Sequence, residues 1–107
     1  MAHYLIQVSY SQGSVKALVE HPQDRSEVVR KTVESAGGKL NNLFFSFGEY
    51  DVALLAEFPT NQAAAAMALA VGATGSVSRY QTTVLFTPQE AVEAMNQSKK
   101  IAYTPPR

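Results

Sequence analysis

Two β-rich runs, Lys39 to Phe47 and Tyr50 to Phe58, are separated only by Gly48 and Glu49. A link this short has no room for a crossover, so the runs must pair as antiparallel neighbours. Glycine at the first position of a two-residue loop is the mark of a type II′ turn, because glycine takes the required backbone angle at little cost. Gly48 is therefore assigned to the turn. The implied register sets Phe47 against Tyr50, Ser46 against Asp51, Phe45 against Val52 and Phe44 against Ala53. The Phe47–Tyr50 pair reads as an aromatic clasp worth ~0.5–1 kcal/mol.

On either side of this hairpin the pattern repeats in a coarser form. His3 to Tyr10 alternates as a strand, "SQG" breaks it, and "SVKALVEHP" reads as a short helical turn closed by Pro22. Val28, Val29, Thr32, Val33 and Ala36 then recur at helical spacing, with Gly37 at the place of a helix-ending glycine. After the hairpin, Pro59-Thr60 opens an alanine-rich helix running to Val71, and Ser76 to Thr87 is a fourth strand. "TPQE", Thr87 to Glu90, is a capping box with proline at the first helical position. The order β-α-β-β-α-β-α predicts an α+β, ferredoxin-like fold: an antiparallel sheet in the order 4-1-3-2, with helices on one face. Residues 4–97 are expected to form one domain, and 98–107 an extended tail.

Alternation assigns Ile6, Val8, Leu43, Phe45, Phe47, Tyr50, Val52, Leu54, Tyr80, Val84 and Phe86 to the helix side of the sheet. It leaves His3, Leu5, Gln7, Ser9, Phe44, Ser46, Asp51, Ala53, Leu55, Glu57, Val77, Arg79, Gln81, Thr83 and Leu85 on the open side. Phe44, Leu55, Leu5, Val77 and Leu85 are too apolar a patch to leave in water. Because the fold supplies helices for one face only, a homodimer or higher oligomer is expected to cover the other.

The open face has a polar end, where strand order brings together Ser9, Ser46, Asp51 and Arg79. A carboxylate on a covered face needs a partner. The favoured reading is an Asp51–Arg79 ion pair at an interface; the competing one is that the two anchor a ligand between sheets. With Gln7 and Tyr50 these residues make up the candidate site.

Nine basic residues balance nine acidic ones, so no basic stripe suited to nucleic acid is present. The longest low-polarity run, Ala63 to Val71, is too short to span a bilayer. There is no cysteine, and no second histidine stands beside His3 or His21, so neither a metal nor a cofactor is expected. A cytoplasmic protein is the default expectation.

The stretch "FGEYDVALLAEFPTNQAAAAMALAVGATGSVSRYQTTVLFTPQE", together with the upstream "DRSEVVRKTVESAGGKL", resembles the GYD domain family over about residues 4–95. The name-giving residues of that family fall on Gly48, Tyr50 and Asp51. The resemblance implies a small bacterial protein, related in fold to the dimeric α/β-barrel proteins, and supplies no reaction. Two functions are carried forward. The first is a homo-oligomeric small-molecule-binding or interaction module. The second is a cofactor-independent oxygenase or isomerase acting on a small aromatic or anionic substrate, with Asp51 as base and Arg79 holding an anionic oxygen.

Overall fold

A computed structural model describes residues 1–107. The chain forms β1 (Ala2–Tyr10), α1 (Gln12–Glu20), α2 (Ser26–Ser35), β2 (Lys39–Phe45), β3 (Val52–Phe58), α3 (Asn61–Gly72), β4 (Val77–Leu85) and α4 (Pro88–Ser98). The sheet order is β2-β3-β1-β4, the expected 4-1-3-2 read from the other edge, and every pairing is antiparallel. The architecture is α+β and ferredoxin-like.

Alternation along the two central strands builds the core. Tyr4, Ile6 and Val8 of β1 and Val52, Leu54, Ala56 and Phe58 of β3 are buried, with Val33 of α2 and Ala64 and Met67 of α3 packed above them. Tyr4 meets Phe58 edge to face at 5.4 Å. Its hydroxyl donates to Asn61 Oδ1 at 2.6 Å, which fixes the start of α3 to the sheet.

Helix α2 ends in a Schellman motif. The Gly38 amide bonds the Val33 carbonyl at 3.0 Å and the Gly37 amide bonds that of Glu34 at 2.9 Å, with Gly37 at φ 82. Gly38 then passes so close to β3 that a Cβ would lie 2.5 Å from the Glu57 carbonyl oxygen. Where the sequence reads as a single helical turn, α1 is a full nine-residue helix. Ser11, which ends β1, also caps that helix by accepting the Ser14 amide at 3.2 Å.

Two irregularities reset the alternation. Tyr10 pairs with Val77 and Ser9 with Arg79, so Ser78 is an extra residue in β4. Its hydroxyl donates to the Tyr10 carbonyl at 3.2 Å. The bulge turns Val77 onto the helix side, against the core, and not onto the open face that unbroken alternation assigns it. A second bulge, at Asn41, turns Leu40 toward the core in the same way.

The register of the β2–β3 hairpin is the expected one, Phe45 on Val52 and Phe44 on Ala53, but its turn is not type II′. Gly48 is not in the positive-φ region, which only Gly37 and Gly75 occupy. Phe47 to Tyr50 instead form a longer connection, closed by the Ser46 amide on the Asp51 carbonyl at 2.8 Å. The reason lies outside the hairpin. The Asp51 amide is taken by the Val8 carbonyl of β1 at 2.9 Å, so β3 joins its second neighbour before the turn can tighten. The aromatic clasp does not form: Phe47 is fully exposed, and Tyr50 swings to the open side of the sheet.

Candidate functional site

Tyr50 decides the shape of the polar end of the open face. Its hydroxyl donates to Gln81 Oε1 at 2.6 Å and accepts from Arg79 Nη2 at 3.0 Å. The Arg79 guanidinium carbon stands 4.6 Å from the centroid of the Tyr50 ring, a cation–π contact. The same Nη2 donates to Glu49 Oε1 at 2.8 Å. The hydrogen bond to Glu49, and next the field of Tyr50, hold the guanidinium even more firmly protonated than usual. Ser9 Oγ donates to the Glu49 carbonyl at 3.2 Å, tying the connection to the end of β1. These groups line an open cup of about 390 Å³ with Gln7, Ser46 and Gly48.

Of the residues singled out in the sequence, Gln7, Ser46, Tyr50 and Arg79 thus converge, and Ser9 supports the cup wall. Asp51 does not join them. Its Oδ2 accepts the Tyr10 amide at 2.9 Å, and the partner of Arg79 is Glu49. The anticipated Asp51–Arg79 pair is absent because the loosened turn aims Glu49 at the arginine, while the β3–β1 ladder commits Asp51 to the backbone. A carboxylate and a guanidinium acting together as base and anion holder would therefore have to involve Glu49, not Asp51.

Sequence reasoning passed over Glu49, taken only as a turn residue, and Gln81, placed on the open face but given no role. The available signal was the sign of Glu49, opposite to that of Arg79, beside a tyrosine on the same face.

A second hollow lies under the helices. It is an apolar crevice of about 110 Å³ between the sheet and α2 and α3, walled by Ile6, Val29, Leu54, Met67 and Tyr80, with Arg25 among its few polar neighbours. The Tyr80 hydroxyl is shut off from solvent and has no hydrogen-bond partner. Burial pushes its pKa up to about 12.

The matching family settles the grouping. A GYD domain profile covers residues 4–95. The chain belongs to the GYD domain family. Among solved structures, this GYD protein is similar to the crystal structure of FFRP-DM1, at 12% identity and TM-score 0.50, over 80% of this chain and 100% of that one. It is similar to a hypothetical protein from Pyrococcus horikoshii, at 12% identity and TM-score 0.52, over 84% and 95% of the two chains. It also resembles a transcriptional regulator from Neisseria meningitidis in complex with L-Met, at 19% identity and TM-score 0.54, over 81% of this chain and 51% of the regulator. At these identities the likeness establishes the shared fold of the GYD protein. No curated protein matches it.

Proposed function

We propose that this GYD protein is a homo-oligomeric module that binds a small zwitterionic or anionic molecule in the cup formed by Gln7, Glu49, Tyr50, Arg79 and Gln81. The observation that carries the reading is the Arg79–Glu49 contact at 2.8 Å on the floor of an open hollow. One cation and one carboxylate side by side offer complementary partners to the carboxylate and ammonium of an amino acid. The Gln7 and Gln81 amides supply further donors and acceptors. The structurally similar regulator in complex with L-Met supports an amino-acid-sized ligand.

The oligomer part rests on a separate observation. Phe44 and Leu55, on the same sheet face as the cup, are 62% and 38% exposed. A second copy over that face would bury them and roof the cup.

Isothermal titration of the purified protein with L-methionine, and then with the other standard amino acids, tests the ligand. Saturable binding that Arg79→Ala removes, without change in the melting temperature, is the expected result. No binding by any of them would overturn the amino-acid reading. Native mass spectrometry tests the assembly: a multiple of the chain mass is expected, and a monomer at micromolar concentration would sink the oligomeric part.

A further inference from the structure

Helix α4 has the strongest start signal in the chain and packs against nothing. The Thr87 amide bonds Glu90 Oε1 at 3.0 Å and the Glu90 amide bonds Thr87 Oγ1 at 3.1 Å, with Pro88 setting the first turn. Yet no residue of α4 is buried, and it makes no substantial contact with any other element. The 99–107 segment that follows is exposed throughout and forms neither helix nor strand. The projection shows in the dimensions. The radius of gyration is 17.1 Å, with extents of 56 × 34 × 23 Å, where a compact domain of this length would have about 13 Å.

An eleven-residue helix is marginal in water unless it packs. This one carries a surface for packing. Val92 and Met95, three residues apart and so on one face, are 53% and 62% exposed, and Ile101 and Tyr103 beyond them are 71% and 76% exposed. The arm is rooted where it can be used. Phe86 and Thr87 line a hollow with His3, Asn42, Leu55 and Leu85, at the end of the open sheet face away from the cup. The capping box sends the helix outward from that rim. The chain therefore carries two unpartnered apolar surfaces, the open sheet face and the arm beside it, that do not meet each other. One two-fold axis satisfies both, because each arm then lies on the other copy. Zero formal net charge puts no electrostatic obstacle in the way of such self-association.

We propose that residues 88–107 are an exchange arm that packs across the open sheet face of a second copy, with Val92, Met95, Ile101 and Tyr103 against the apolar surface around Phe44 and Leu55. This rests on the oligomeric part of the reading above, and adds what holds the copies together.

The full chain with Val92→Glu and Met95→Glu is compared with the parent by sedimentation over a range of concentrations. Self-association weakened by about tenfold or more, with an unchanged circular dichroism spectrum, is expected, and Leu55→Glu should do the same from the other side. An oligomeric parent whose assembly the arm variant leaves intact would overturn the arm while leaving the oligomer standing; a monomeric parent would overturn both. A second measurement separates exchange from folding back. Met95→Cys, in a chain with no other cysteine, carries a benzophenone cross-linker in a mixture of ¹⁵N-labelled and unlabelled chains. Cross-links of mixed isotope composition are expected, and cross-links confined to single chains would overturn the proposal.

Discussion

Arg79 stands over the ring of Tyr50 at 4.6 Å and donates to its hydroxyl at 3.0 Å, so one side chain fixes the other in two ways. Both groups lie on an open face, where such contacts contribute little to folding. Their replacement should therefore separate binding from stability. Arg79→Lys keeps the charge but loses the planar stack and fork. It is expected to weaken amino-acid binding by about tenfold while moving the melting temperature by no more than about 2 °C. A large fall in melting temperature would make the contact structural.

Asp51 should behave in the opposite way. Its carboxylate serves the Tyr10 amide at the point where β1 leaves the sheet. Asp51→Ala strands that amide and should cost about 1–3 kcal/mol in chemical denaturation. Ligand affinity of the folded fraction should stay close to that of the parent. Loss of binding with full stability would return Asp51 to the site.

The glycines give a paired test. A Cβ on Gly38 would collide with the Glu57 carbonyl and the Phe58 ring, whereas one on Gly48 would meet nothing within 4 Å. Gly38→Ala is expected to destabilise by about 2 kcal/mol or more, since backbone must move. Gly48→Ala should stay within about 0.5 kcal/mol of the parent. Comparable losses from both would restore the tight turn at Gly48.

Tyr80 yields a pH prediction. Its folded pKa lies near 12, against an unfolded value of 10.0, because burial disfavours the phenolate. Below the unfolded value both states are protonated and folding feels no penalty. As pH rises past it, the unfolded chain releases its proton first, so stability falls progressively towards the folded value. Tyr80→Phe removes this contribution and also removes the orphaned hydroxyl. The variant should be as stable as the parent or more so at neutral pH. The gap should widen when thermal melts are repeated at alkaline pH; a variant less stable than the parent at every pH would mean that the hydroxyl has a partner.

What the sequence made legible was what local physics controls. The β2–β3 register followed from the apolar alternation of Leu43, Phe45, Val52 and Leu54, and the α4 start followed from Thr87, Pro88 and Glu90, all close neighbours in the chain. What escaped was set by distant partners. The turn at Gly48 opens because the Asp51 amide bonds Val8, and Val77 changes face because Ser78 bulges against Tyr10. Neither contact leaves a mark on the nearby sequence. The candidate site shows the same division. Gln7, Tyr50 and Arg79 were placed by sheet order, and the exchange of Asp51 for Glu49 came from a turn whose shape the hairpin does not determine alone.

The central place of β1 has a consequence for biosynthesis. The strand that lies between β3 and β4 is the first to leave the ribosome, yet its partners begin at Val52 and Val77. Tyr4, Ile6 and Val8, all buried in the finished sheet, must therefore wait through most of translation with no strand to pair with. Even when β3 has emerged, the far edge of β1 stays open until β4 is complete, and an open apolar edge is where nascent chains join one another. Closure by β4 is thus the committing event, and any pause in synthesis upstream of Val77 lengthens the time during which this chain is vulnerable to aggregation.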